Sequence, residues 1–253
     1  MNGICIKDVV LEKIIDTAKA AGRIIYEADK SDIGIKDKEG RANFVTAFDV
    51  KVQKFLEEEL LKILPGASFL GEEDSDNKEI EDSEYLFIVD PIDGTTNFIK
   101  DYKMSCVSIG LLKNGERYIG VVHNPYLDET FYAIKNKGAY LNDREIKVSE
   151  EDLSNGIVLF GSAPYNVELS KKSFELAYEY FNKSLDIRRS GSAALDLCAV
   201  ASGRAELFFE MLLSPWDFAA GALIVQEAGG IVTTIEGNTI ETTLKCSVLA
   251  RNK

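Results

Sequence analysis

Three groups of carboxylates stand directly beside apolar segments of this sequence. Glu72 and Glu73 follow Phe69-Leu70-Gly71, Asp90 and Asp93 follow the run Tyr85-Leu-Phe-Ile-Val89, and Asp217 follows Trp216 at the head of an apolar stretch. A carboxylate drawn into a folded interior by such neighbours is costly unless it is paired or bound to a metal. No lysine or arginine stands in the immediate sequence neighbourhood of any of the three. Hard divalent cations such as Mg²⁺ prefer oxygen ligands and would resolve the charge. The segment Asp90-Pro-Ile-Asp-Gly-Thr-Thr-Asn97 adds geometry. Pro91 restricts the turn, and Gly94 lets backbone approach a ligand closely. Gly94-Thr95-Thr96 would then present free N–H groups at a helix start, where phosphate binds. Metal carboxylates beside an anion cradle are what metal-assisted phosphate ester hydrolysis requires.

Each group alone has a plainer reading. A single Asp at a helix start is a cap. Glu72 and Glu73 could open the acidic stretch of residues 72–84 as solvated charge. Asp74-Ser-Asp76 begins like a calcium loop but lacks the required glycine. The combination of all three is what favours chemistry. His123, the one histidine, ends a strand-like run and reads as packing. Cys5, Cys106, Cys198 and Cys246 are scattered without a CxxC pair, which suits reduced thiols, and Cys106 and Cys198 read as inert core groups. GxSxG, GxxxxGK[ST] and GxGxxG are all missing, so serine hydrolase, phosphate-loop and dinucleotide-binding readings lose their main support.

The elements that must position these groups follow from apolar periodicity. Residues 8–29 read as an amphipathic helix with Val10, Ile14, Ala18, Ala21 and Ile25 on one face. Thr46 can cap a second helix that Pro65-Gly66 ends. Residues 85–89, 106–112, 118–122 and 129–134 read as strands, with an Asn114-Gly115 hairpin between the second and third. Residues 157–160 and 206–209 read as further strands, and 231–235 and 247–250 complete a sheet. Residues 170–184, 192–202 and a helix opened by Pro215 and stopped by Gly229-Gly230 read as helices. This order suggests layered α+β or α/β architecture.

The chain has 253 residues, 45% hydrophobic and 28% charged, with 42 acidic against 29 basic side chains for a net charge of −13. Such a chain can bury a full core. With no Gly/Ser/Pro linker, it is expected to be a single domain, 1–253, of two intimately packed halves, about 1–145 and 146–253. The acidic balance argues against nucleic acid or an anionic membrane as partner, but not against a small anion, because bound cations reverse the local field. No apolar run reaches the ~18 residues of a membrane span, and no secretory signal is visible, so the cytoplasm is the expected compartment.

At this point the residues resemble a known family. Gly71-Glu72-Glu73, Asp90-Pro-Ile-Asp-Gly-Thr-Thr-Asn97 and Trp216-Asp217, with Asn43-Phe-Val-Thr-Ala-Phe-Asp49, Gly191-Ser-Ala-Ala194 and Gly229-Gly230, are similar to the inositol monophosphatase family over nearly the whole chain. The resemblance implies a Mg²⁺-dependent, Li⁺-sensitive sugar phosphatase with a layered α-β-α-β-α sandwich, dimeric, holding two to three Mg²⁺ ions. By the same resemblance Glu72, Asp90 and the Ile92 carbonyl hold one metal, and Asp90, Asp93 and Asp217 a second, with Glu72 sharing a third. Gly94 and Thr95 hold phosphate beside Asp93 and Asp217. Gly191, Ser192, Ala193 and Glu210 contact the alcohol part of the substrate. Glu72, with Thr95 and its implied partner Asp49, would orient and deprotonate a water for in-line attack on phosphorus, without a phosphoenzyme.

The substrate expected on this reading is myo-inositol 1-phosphate or a similar polyol phosphate. Glu210 favours it, since a carboxylate accepts hydrogen bonds from a polyol. Arg188-Arg189 would favour a fructose-1,6-bisphosphatase by reaching a second phosphate. A 3′-phosphonucleotide phosphatase ranks third, and a non-catalytic phosphate-binding protein is the alternative of a different class. Lys36 stands where relatives place a lysine near the metals. Ser214-Pro215 replaces a histidine that members carry before Trp-Asp. Trp216 reads as a packing anchor for Asp217.

Overall fold

The computed structural model describes residues 6–29, 34–37, 44–74, 83–164 and 166–253. The first half contains α1 (Ile6–Tyr26), β1 (Lys36–Asp37), β2 (Phe44–Val45), α2 (Ala47–Ile63), β3 (Ser68–Gly71), β4 (Tyr85–Asp93), α3 (Thr95–Ile99), β5 (Cys106–Lys113), β6 (Glu116–Asn124), β7 (Glu129–Ile134), β8 (Ala139–Leu141) and β9 (Arg144–Ile146). The second contains β10 (Ile157–Phe160), α4 (Val167–Phe181), β11 (Asp186–Arg188), α5 (Ala193–Ala201), β12 (Leu207–Leu213), α6 (Pro215–Glu227), β13 (Ile231–Thr233) and β14 (Cys246–Arg251).

Two sheets result. One is seven-stranded in the order β3-β4-β5-β6-β7-β8-β9, the other five-stranded in the order β11-β10-β12-β14-β13, and β1 and β2 form a separate ribbon. Helices α1 and α2 lie on one face of the seven-stranded sheet, where Ile14, Ala18, Ile25, Leu56 and Leu60 meet Phe87, Val89, Ile109 and Val121. Helices α5 and α6 fill the space between the sheets, and α4 covers the far face of the smaller one. These layers are the expected α-β-α-β-α sandwich. Among the described residues no helix is long and apolar enough to cross a membrane.

Local sequence explains most boundaries. The Thr46 side chain accepts from Phe48 N and Asp49 N, and Asp49 returns a bond to the Thr46 backbone, closing a capping box that starts α2. Asn114 and Gly115 take φ of 50° and 77°, the left-handed pair that a tight hairpin demands. Helix α6 lies unusually close to the sheet because β5 and β6 present glycines there. A Cβ on Gly110 would sit 2.8 Å from Ala219 Cβ, and one on Gly120 would sit 2.6 Å from the Ala220 carbonyl oxygen. That close approach sets the height of Asp217, in the first turn of α6, above β4.

Several boundaries differ from the sequence reading. The strand read at 85–89 continues to Asp93, and the one read at 206–209 continues to Leu213, so Glu210 is a strand residue. Helix α4 spans 167–181 rather than 170–184, because Asn166 accepts from Leu169 N at 3.0 Å and starts it early. Ser170 instead donates to the Ser162 and Ala163 carbonyls at 2.7 and 2.9 Å. Helix α1 stops at Tyr26, short of 29. Arg188 ends a short strand, β11, that the sequence reading did not mark. Strands β3, β8, β9 and β11, of three or four residues, show no alternation of their own and are defined by their partners. Cys5, Asn43 and most of the acidic stretch of residues 72–84 lie outside the described residues.

Candidate active site

Strand β4 delivers Asp90 and Asp93 by breaking its ladder. Asp90 pairs with Ser108 and Asp93 with Cys106, so three residue steps on β4 span two on β5. Pro91, which has no N–H to give, falls inside this bulge, and the bulge re-aims the two carboxylates. Ile92 N–H closes the turn on Asp90 Oδ1 at 3.0 Å. Asp217 arrives from the other side. It sits in the first turn of α6 and accepts from Ser214 N at 2.7 Å through Oδ2. It is therefore a cap, as the plainer reading held, and also part of a cluster. Oxygens of Asp90, Asp93 and Asp217 come within 4.8 Å of one another. Trp216 packs beside it against the cluster of Leu86, Ile88 and Leu112.

Glu72 stands in the single 3₁₀ turn Glu72–Asp74 that leaves β3, and lines the same cleft. Gln53, buried in α2, holds this turn by accepting from Glu73 N at 2.9 Å. The cleft, of about 310 Å³, is bounded by Glu72, Asp90 and Asp93 on one side and by Gly191, Glu210 and Asp217 on the other.

The field in the cleft is strongly negative. Burial, then the charges of Glu72, Asp93 and Asp217, push the Asp90 carboxyl well above the usual carboxylate range. Burial, then Asp93 and Glu72, do the same to Asp217. Asp93 is raised by burial, against the pull of donors from Ser192 and Ala194. Among the described residues no lysine or arginine forms an ion pair with these three aspartates. A set of convergent, self-repelling carboxylate oxygens is what a hard divalent cation takes as ligands.

Beside the cluster, Gly94 holds φ 88° at the start of α3. A Cβ there would lie 2.8 Å from the Met104 carbonyl oxygen and 3.3 Å from that of Gly191. Asn97 stitches the two loops together, donating to the Met104 and Ser190 carbonyls at 2.7 and 2.9 Å. The Thr95 hydroxyl reaches Asp49 Oδ1 at 3.3 Å and the Ile92 carbonyl at 3.2 Å. Asp49 is fixed in turn by its Oδ2, which accepts from Thr46 N and Thr46 Oγ1 at 2.7 and 2.6 Å. The Thr95–Asp49 contact spans 46 residues and was invisible in sequence spacing.

On the opposite wall, Ser192 caps α5 and donates through Oγ to Asp93 Oδ2 at 2.5 Å, while Ala194 N donates to the same oxygen at 2.8 Å. The Ser192 hydroxyl is thus turned inward onto Asp93. Ala193 is buried behind it. Glu210 accepts from Ala163 N at 3.1 Å, and burial raises its carboxyl to about 7. Arg189 lines the cleft near Glu210, with Nε donating to Ser162 Oγ at 3.1 Å. Arg188 pairs with Asp186 and lines a neighbouring cavity instead. Lys36 is exposed on β1 and does not line the cleft.

Sequence reasoning missed Asp196. It is buried in α5, lines both cavities, and is pushed well above the carboxylate range by burial. A lone Asp inside Ala-Ala-Leu-Asp-Leu-Cys-Ala was the available signal. Cys106 is less remote than expected, because its Sγ lies 3.8 Å from Asp93 Oδ2. His123 meets its packing expectation: it is buried, its Nδ1 lies 2.9 Å from Thr130 Oγ1, and its ring abuts Gly22 of α1.

The profile of the inositol monophosphatase family matches residues 7–253. Inositol monophosphatase 2 of Solanum lycopersicum is 39% identical, covering 91% of this chain and 89% of the tomato protein. Nus factor SuhB of Escherichia coli is 35% identical, covering 90% and 86%. The solved structure of the Thermotoga maritima IMPase superposes with a TM-score of 0.84 at 32% identity, covering 94% of this chain and 90% of that one. This chain belongs to the inositol monophosphatase family.

Proposed function

We propose that this chain hydrolyses myo-inositol 1-phosphate, or a similar polyol phosphate, with two to three Mg²⁺ ions. That the chain is an inositol-phosphate phosphatase follows from its family. The metal, the substrate and the residue roles are the proposal. One observation carries it: the oxygens of Asp90, Asp93 and Asp217 converge within 4.8 Å in a cleft whose far wall presents Glu210.

The donor set fits the ions. Asp90, Asp93 and Asp217, with Glu72 and the Ile92 carbonyl nearby, are hard oxygen donors whose mutual repulsion a cation relieves. When bound, Mg²⁺ neutralises phosphoryl charge and acidifies water. The protein does the rest. Thr95, held by Asp49 and the Ile92 carbonyl, fixes the direction of a water with its hydroxyl, and Glu72 takes that water's proton. Backbone N–H groups at Gly94 and Thr95 hold the phosphate oxygens. Ser192 and Ala194 lock Asp93 so that it cannot swing away from the cluster. Glu210 accepts hydrogen bonds from the substrate's hydroxyl groups, alongside the backbone of Gly191, Ser192 and Ala193.

A second reading, a fructose-1,6-bisphosphatase, is favoured by Arg189, which lies near Glu210 where a second phosphate could reach it. The homodimer is supported by a groove of about 510 Å³ beside the cleft, where Tyr102 and Leu127 are exposed. Cytoplasmic placement and lithium sensitivity complete the proposal.

The test measures phosphate release from inositol 1-phosphate, fructose 1,6-bisphosphate and 3′-phosphoadenosine 5′-phosphate at fixed Mg²⁺, with EDTA as control. Inositol 1-phosphate should give the highest kcat/KM, and EDTA should abolish it. A preference for the bisphosphate would replace the substrate assignment. No release from any of the three would leave a phosphate-binding protein.

A further inference from the structure

Away from the carboxylate cleft, a cavity of about 520 Å³ opens between the start of β6, the last turn of α6 and residues 239–243. Arg117 lines it, with Gln226, Thr239, Thr242 and Thr243. A bulge aims Arg117 there: Leu111 pairs with Ile119 but Leu112 with Arg117, leaving Tyr118 as the extra residue. Burial lowers the Arg117 pKa. Among the described residues its one hydrogen-bond partner is Thr242, whose Oγ1 accepts from Nη1 at 2.5 Å. Its Nε is buried and has no partner.

Two of the three acids around the cavity are engaged elsewhere. Glu116 binds Lys135 Nζ at 2.7 Å. Glu227 accepts from Asn136 N, Lys137 N and Gly138 N at 2.8, 3.1 and 3.0 Å. Glu241 is exposed and forms no ion pair with Arg117. In a chain of net charge −13, a half-buried guanidinium that lines a cavity, carries an unsatisfied donor and forms no ion pair is unusual. A bound anion would supply the missing charge partner from the cavity side, at the Nη edge, since Nε itself is covered by protein.

We propose that this cavity is a second binding site, for the phosphate or carboxylate group of a small molecule, held by the Arg117 guanidinium and the surrounding threonine hydroxyls. The planar fork of arginine matches such oxyanions through paired N–H donors. The volume fits a small molecule. The last carbonyls of α6 do not oppose an anion, because Ala228 N, Gly229 N and Gly230 N already donate to Ile224, Gln226 and Val225 at 3.0, 3.1 and 2.9 Å. Gln226 stands nine residues along α6 from Asp217, roughly 13 Å at the helical rise, so the two sites are separate.

The test uses the full chain in EDTA, which withholds from the cleft the cations it would need to take up an anion. Thermal unfolding is followed against inorganic phosphate or succinate, with sodium chloride matching ionic strength, for the parent, Arg117→Gln and Arg117→Lys. The parent Tm should rise by about 5–10 °C at a ligand concentration about a hundredfold above Kd. Arg117→Gln should lose the rise, and Arg117→Lys should weaken binding about tenfold or more. A response to phosphate alone assigns a phosphate ligand, and a response to succinate alone a carboxylate. Equal slopes in the parent and Arg117→Gln would show a general salt effect and overturn the site. Isothermal titration of the parent with both anions decides the matter should the variants misfold: no heat from either overturns the site. None of these readouts depends on phosphatase activity.

Discussion

Replacing Asp93 by Asn isolates the charge that the cleft was built to hold. Asp93 lies with Asp90 and Asp217 inside 4.8 Å. At that separation and an effective dielectric of about 20, each pair of ionised carboxylates repels by about 3.5 kcal/mol. Asparagine keeps the shape, and its carbonyl oxygen can still accept from Ser192 Oγ and Ala194 N. Neutralising the acceptor weakens those two charge-assisted bonds, at a cost of roughly 1.5 kcal/mol each. Where all three carboxyls are ionised, two relieved pairs outweigh that by up to about 4 kcal/mol without metal, and the gain shrinks to the extent that Asp90 or Asp217 holds a proton, since both are pushed up. The variant in EDTA should therefore melt at or above the parent temperature. Magnesium should then stabilise the parent more than the variant, and turnover of inositol 1-phosphate should fall at least ~10²-fold, equivalent to about 2.7 kcal/mol. Thermal melts with EDTA and with MgCl₂, beside phosphate release, measure all three quantities. A variant that melts well below the parent in EDTA, yet keeps its magnesium response and its turnover, would refute the charge-cluster argument.

Thr95→Ala should lower kcat by ~10²-fold with KM nearly unchanged, because it removes a hydroxyl that orients water while leaving the backbone cradle; a matching rise in KM would make Thr95 a binding group instead. Glu210 titrates near 7 in the folded chain, so its protonated form stabilises the fold at low pH, and that contribution is lost as pH rises from about 4.5 through 7. Since the ionised form accepts polyol hydroxyls, KM should improve as pH rises through about 7, where the folded chain ionises Glu210, and Glu210→Gln should flatten both profiles in pH-resolved melts and kinetics. Gly94→Ala forces a Cβ to 2.8 Å from the Met104 carbonyl oxygen at φ 88°, which should cost about 2–4 kcal/mol in denaturant unfolding; an unchanged midpoint would show that the loop can relax.

The sequence by itself determined the parts whose signals are local. Apolar periodicity marked α1, α2 and the strands from β4 to β7, and Thr46, Asn114-Gly115 and Pro215 marked where chain direction changes. These are short-range choices of backbone angle and capping, legible within a few residues. The identity of the chemical groups was equally legible, because a carboxylate at the end of an apolar run advertises its own desolvation problem. What only the tertiary structure decided is which of those groups meet. Asp217 stands over β4 because two glycines let α6 settle on the sheet. Thr95 finds Asp49 because the α2 capping box holds that carboxylate, and Ser192 and Ala194 reach Asp93 across 99 and 101 residues. Asp196 and Arg117 are unremarkable letters until packing places them, one buried in the wall of the cleft and the other half-buried with its own Nε left without a partner. Burial is a property of the assembled layers and leaves no trace in the spacing of residues along the chain.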